Sequence, residues 1–398
     1  MIPYATFAYF GVLLYVVVPS IAAGLLGRAR LLSRIVLVLA TLGMLLAQYG
    51  GLAPLWANGP VGQGVWLVIG FALGQWAVAW GLLAVRRRRL GRDRLERYAF
   101  FGAIGLALAP LVAVRVSDLV PGLSLLNFVG LSYVTFRAVD VLICVHDRVV
   151  RELSPGRYLL FLFFFPTISA GPIDRYRRFV GDLDRPHDRA GFLADLDAAV
   201  HQIMTGFALK FVLAELVRRF ALEPAGTVSG PLGLVLYAYA YTGYLYFDFA
   251  GYSAFAIGVG RLFGIDVPAN FRRPFLAPDI REFWNRWHIS LSTWLRDHVY
   301  MRFLMTASRG RWFSDRHLTS YVGLLVSFGL MGAWHGLESR FLLYGLYHAG
   351  LLIGHDLFGR WNAKHQVWQC GPAWRVAGVV LTFHAVCFGM LLFSGRLG

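Results

Sequence analysis

The chain has 398 residues, 57% of them hydrophobic and 15% charged, where soluble domains carry about 25% charged residues. Its formal net charge of +16 is almost wholly arginine, with lysine only at Lys210 and Lys364. The apolar residues gather into runs of roughly 20, the length that crosses a bilayer. This excludes an ordinary soluble domain and points to a polytopic membrane protein. The arginines lie in short loops between apolar runs, so topology and anionic headgroups explain the charge better than nucleic acid does, with a part left for an acidic protein partner.

In chain order, residues 4–26 form the first span, with no basic stretch before it, so it reads as a retained helix rather than a cleaved leader. A basic linker, 28–34, follows. Residues 31–53 are the second span, 54–60 an uncharged linker, 61–85 the third span and 86–97 (RRRRLGRDRLER) a strongly basic linker. Residues 98–114 are the fourth span, 117–124 a nearly neutral turn, 125–145 the fifth span and 146–157 basic again. Alternating basic and neutral linkers place the basic ones in the cytoplasm and the N-terminus outside.

Beyond residue 157 the pattern is irregular. Residues 159–166 are apolar but short and are interrupted by Pro166, Gly171 and Pro172, which reads as a re-entrant segment. Residues 175–189 are charged. Residues 199–221, 231–259, 318–334, 341–358 and 374–393 are further spans, and 261–316 is rich in arginine and tryptophan without a clear span. This makes about ten to twelve spans of bilayer length in a single domain, 1–398. Cys144, Cys370 and Cys387 are widely separated and read as core residues.

Three constellations carry candidate chemistry. His335 lies in GLLVSFGLMGAWHG, almost wholly apolar, and an ionisable residue there is costly and tends to mark a proton-handling site. Gly329, Gly332 and Gly336 around it permit close approach of a helix or a substrate chain. Neutral imidazole suits a general base for a hydroxyl; the plainer reading is a satisfied core histidine. The second constellation is 281–305. Read as one helix, it places Trp284, Trp287, Leu291 and Trp294 on one face and Arg281, Asn285, His288, Ser292 and Arg296 on another. That is the pattern of an interfacial anchor, although the pair Asn285/His288 is more than an anchor needs. The third is Asp248 in YFDFAGYS, read as a structural partner to an arginine or as part of a site. Arg137 and Asp140, three residues apart, read as an intramembrane ion pair. Zinc-helix, dinucleotide, Walker A and nucleophile-elbow motifs are missing, which favours histidine-assisted direct transfer, and no metal is expected.

The stretches YFDFAGYS (246–253), NFRRPFL (270–276), FWNRWHISL (283–291), STWLRD (292–297) and MGAWHG (331–336) together resemble the membrane-bound O-acyltransferase (MBOAT) family, with core motifs over about 240–350. VYMRFLM (299–305) and YGLYHA (344–349) are similar to the branch that transfers D-alanyl groups onto teichoic acids. The resemblance implies an all-α fold of transmembrane, re-entrant and interfacial helices around a thin centre, with a tunnel and a funnel meeting near His335. It implies His335 and His288 as catalytic residues, with Asn285, Trp334, Asp248 and Ser292 positioning substrate. It further implies a D-alanyl thioester on the phosphopantetheine arm of an acidic carrier protein, docking at Met301, Arg302, Phe303, Leu304 and Met305, and no cofactor bound by the chain itself. A short membrane peptide and an esterase-like protein are expected to complete delivery to a teichoic-acid-like hydroxyl, across a bacterial plasma membrane. The competing readings are O-acetylation of an exported polysaccharide such as alginate, and a transporter or flippase suggested by the broken apolar segments.

Overall fold

The computed structural model describes residues 3–26, 30–50, 60–88, 93–116, 128–185, 188–368 and 371–397. Linker residues 54–59, the turn 117–124, the start of the first basic linker (28–29), the middle of the second (89–92) and Cys370 lie outside the described residues. Among those described, all regular structure is helical.

The long helices overlap the stretches that hydropathy reads as spans, and shorter ones lie between them. They are α1 (Phe7–Leu25), α2 (Arg30–Leu45), α3 (Pro60–Arg87), α4 (Asp93–Arg115), α5 (Leu131–His146), α6 (Pro155–Leu162) and α7 (Tyr176–Asp184). Next come α8 (Arg189–Thr227), continuous through two π-helical turns, and α9 (Gly230–Leu262). The short α10 (Ile280–Trp284), α11 (Ile289–Leu295) and α12 (Met301–Arg309) lead into α13 (Arg316–His335), α14 (Ser339–His365) and α15 (Pro372–Ser394). Proline opens α6 and α15, where its missing N–H costs nothing. Asp279 and Asp315 cap α10 and α13 by accepting from the amides of Glu282 and His317, each at 2.8 Å.

Five stretches among the described residues are long and apolar enough to cross a bilayer: Phe7–Leu25, Trp66–Arg87, Arg94–Arg115, Arg189–Thr227 and Pro372–Ser394. Helices α9, α13 and α14, with 33, 20 and 27 residues, are as long. They carry Asp248, Arg316 and His335, and His348 and Asp356, so composition alone does not select them. The chain is a multi-pass membrane protein.

The described helices form two compact units: Met1–Thr205 with Tyr252–Pro268, and Gly206–Gly251 with Ala269–Gly398. In the first, the broken apolar segment 159–166 ends inside protein. Helix α6 stops at Leu162 and a 3-10 turn covers Phe165–Thr167. A helix end leaves carbonyls without intrahelical partners, and the buried guanidinium of Arg137 supplies donors. It donates to the carbonyls of Phe161 (3.0 Å), Leu162 (2.9 Å) and Thr167 (2.9 Å), and to the Thr167 hydroxyl. Asp140 serves the start of α7, accepting from the Tyr176 amide (3.0 Å) and pairing with Arg175 (3.0 Å). Beyond any pairing of the two, Arg137 serves the end of one helix and Asp140 the start of the next. Cys144 is a free thiol here, as is the buried Cys387 in the second unit.

In the second unit α13 and α14 form a tight hairpin. Gly332 lies against the Phe341 carbonyl and Gly345 against that of Phe328, each with no room for a Cβ. Gly336 meets the Phe341 ring, where a Cβ would stand 2.6 Å from the ring edge. Two of the three glycines flanking His335 therefore serve helix approach, while Gly329 has nothing within 4 Å.

Candidate active site

The site is built within the second unit. The stretch 281–305 is not one amphipathic helix. Helix α10 ends at Trp284, and α11 begins only after His288, which adopts a left-handed conformation at φ 43° and ψ 51°. A π-helical turn at Arg296–Tyr300 then precedes α12. The break dissolves the shared polar face: Asn285 is exposed and donates to Glu282 Oε1 at 3.2 Å, while His288 is buried. Trp284, Trp287, Leu291 and Trp294 are all buried in protein, so they are core and not a lipid-facing anchor.

A left-handed non-glycine residue stores strain and persists only where its surroundings fix it. The buried Asn270 supplies that fixing. Its carbonyl accepts from the Ile289 amide (2.9 Å), and its Oδ1 accepts from the Ser290 hydroxyl (2.6 Å). One residue pair further out, the Arg272 amide donates to the Arg286 carbonyl at 3.0 Å. The NFRRPFL loop and the WHIS turn are thus stitched together around His288, a role that periodicity does not reveal. On its other side the Phe249 ring meets the imidazole edge-on at 4.8 Å. The buried Nε2 of His288 has no hydrogen-bond partner among the described residues, and His335 lies within electrostatic reach of His288.

His335 is the last residue of α13 and is half-buried. Its ring packs on Trp334 at 4.5 Å and edge-on to Phe393 at 4.9 Å, with Phe341 at 6.1 Å and Tyr344 at 6.3 Å. A helix C-terminus favours a positive charge, which suits an imidazole that takes up a proton. Ser292 donates to the Trp287 carbonyl at 3.1 Å and steadies the turn that carries His288.

Asp248 pairs with Lys210, not with an arginine. The two helices meet closely there, because Gly251 faces the Lys210 backbone and a Cβ would stand 2.7 Å from its nitrogen. In α12, Met301 and Met305 are exposed, whereas Arg302, Phe303 and Leu304 are half-buried. Phe303 packs edge-on against Trp312 at 5.9 Å.

His348 carries a signal that sequence reasoning used only for resemblance. It is fully buried in α14, ringed by Trp284 (5.1 Å), Tyr344 (4.7 Å) and Tyr347 (5.3 Å). Neither ring nitrogen has a hydrogen-bond partner among the described residues. Tyr344 touches both His335 and His348. The mark in the sequence was the same as for His335: an ionisable residue in an apolar helix.

A model of the membrane-bound O-acyltransferase family matches residues 128–394, the stretch that holds both histidines and every motif named above. The teichoic acid D-alanyltransferase of Bacillus subtilis (strain 168) is 36% identical, with 100% of this chain and 98% of that protein covered. The teichoic acid D-alanyltransferase of Streptococcus thermophilus is 38% identical, over 81% of each chain. The probable alginate O-acetylase of Pseudomonas aeruginosa is 33% identical over 67% of this chain and 49% of its own length.

Proposed function

We propose that this chain, which belongs to the membrane-bound O-acyltransferase family, moves a D-alanyl group from a carrier-protein thioester to an extracytoplasmic hydroxyl in teichoic acid D-alanylation. The observation that carries the reading is the strained, buried His288, its Nε2 left without a partner among the described residues, in a chain similar from end to end to a protein of that name.

His335 acts as general base on the acceptor hydroxyl. The oxygen attacks the thioester carbonyl carbon, the C–S bond breaks, and the proton held on His335 passes to the leaving thiolate. Held by Asn270 and Phe249, His288 presents Nε2 as a donor to the carbonyl oxygen as it gains charge. Trp334 orients the His335 ring and Ser292 the His288 turn, while Asp248 and Lys210 hold α8 against α9. Asn285, through Glu282, completes the positioning set. The chain itself holds no cofactor; phosphopantetheine arrives on the carrier.

The carrier docks on the cytoplasmic face at Met301–Met305, where Arg296, Arg309 and Arg311 steer an acidic surface and Met301 and Met305 offer apolar contact. The alternating basic linkers support an N-terminus outside a bacterial plasma membrane. A short membrane peptide and an esterase-like protein relay the group to the polymer.

The donor tests this reading. Purified protein in lipid is offered D-alanyl carrier and acetyl carrier with a hydroxyl acceptor, and ester product is measured. D-Alanyl ester from the first and none from the second supports it. The reverse result assigns the chain to polysaccharide O-acetylation, the activity in the name of its Pseudomonas aeruginosa relative.

A further inference from the structure

The first unit holds a cleft of about 810 Å³ that acyl transfer does not use. Four guanidinium groups line it: Arg87 from the end of α3, Arg151 from the loop after α5, Arg157 from α6 and Arg177 from α7. Among the described residues Glu152 is the one carboxylate in the lining, so with the four arginines these residues carry a net charge of +3.

Local partners do not neutralise this charge. Arg157 pairs with Asp184 at 3.1 Å, but Arg34 already occupies that carboxylate at 2.6 Å. Arg87 donates to the Arg151 carbonyl at 2.8 Å, a bond that draws the loop inward without cancelling charge. The guanidinium groups of Arg151 and Arg177 meet no carboxylate and no hydrogen-bond acceptor among the described residues. Unpaired like charges in one concavity repel, and an anion relieves that cost. Guanidinium forks match a phosphate in particular, through paired N–H donors.

The position of the cleft selects the kind of phosphate. Arg87 is the last residue of the membrane-length stretch Trp66–Arg87, so the cleft opens where hydrocarbon gives way to headgroups. Val149 stands in its lining and is 45% exposed, giving an apolar edge beside the arginines. A free phosphate has no use for that edge, whereas a lipid tail has. We propose that this cleft is a binding site for the phosphodiester headgroup of an anionic phospholipid. The bound lipid ties α3, α6 and α7 together around the helix ends that Arg137 and Asp140 hold.

The test uses the full chain, stripped of lipid in neutral detergent. Its thermal unfolding is followed while phosphatidylglycerol, phosphatidylcholine or inorganic phosphate is titrated. A saturable upward shift with phosphatidylglycerol alone is expected. The double variant Arg151→Gln/Arg177→Gln raises the half-saturating concentration on the order of tenfold or more, since each basic residue near a headgroup contributes to anionic lipid binding. Its own midpoint without lipid stays near wild type, because neither guanidinium has a protein partner; Arg151→Gln alone gives a smaller loss in the same direction. Arg375→Gln, far along the chain in α15, leaves the lipid response unchanged. An equal shift with inorganic phosphate makes this a free-phosphate site and overturns the lipid assignment. A double variant that responds to phosphatidylglycerol as wild type does overturns the site.

Discussion

Gly345 of α14 lies against the main chain of Phe328 in α13, with a Cβ position only 3.0 Å from the Phe328 carbonyl carbon and closer still to its oxygen. The obstacle is backbone, which cannot rotate away. Gly345→Val is therefore expected to destabilise the protein by about 3 kcal/mol or more, at the upper end of overpacking costs. Gly329→Ala, with nothing within 4 Å, should leave stability near wild type. Unfolding midpoints in detergent compare the two, and equal midpoints would show that the α13–α14 contact is not what holds the hairpin.

His335→Ala should lower acyl transfer by about 10²–10⁴-fold, the usual loss with a general base, while the protein still elutes as a folded species. The readout is ester-linked D-alanine in envelope material. Near-normal ester in cells carrying the variant removes His335 from catalysis.

Asn270→Ala removes the Oδ1 acceptor of Ser290 and loosens the turn that keeps His288 in its left-handed form. The expected cost is about 1–3 kcal/mol of stability and, through misplacement of His288, a fall in rate of about 10²-fold. Carrier binding should not change. A variant that loses carrier affinity and keeps its single-turnover rate speaks against the positioning role.

Lys210→Met leaves the Asp248 carboxylate without its cation and should cost about 1–3 kcal/mol, since removing one partner of a sheltered pair strands the other. Lys210→Met/Asp248→Leu should recover most of that loss, because no charge is left uncompensated. Chemical denaturation of the single and double variants closes the cycle. If the double variant is destabilised by the sum of the single losses, the pair has no coupling.

Leu304→Asp places a charge in the apolar centre of the proposed carrier surface. Carrier affinity should fall at least tenfold while membrane insertion persists. Wild-type binding should also weaken with added salt, because exposed charges are screened within about 10 Å at 0.1 M. Wild-type affinity in the variant, together with binding indifferent to salt, would place the docking surface elsewhere.

Hydropathy alone determined where most of the long apolar helices run, that they belong in a membrane, and that 159–166 is a broken segment, because hydrocarbon tolerates only backbone that satisfies itself. Motif resemblance marked both histidines. Pattern failed at 281–305, where a three-to-four spacing read as one continuous helix. Hydrogen bonds that Asn270 accepts from Ile289 and Ser290, 20 residues from the latter, hold the break at His288, and no three-to-four periodicity encodes a partner at that separation. The same limit hid the further partners of Arg137 and Asp140 and gave Asp248 an arginine where the structure has a lysine. Arg137 serves the carbonyls at the end of α6, Asp140 the start of α7, and Asp248 meets Lys210. A buried charge goes to whichever desolvated group needs it most, and which groups are desolvated is settled only when the helices pack.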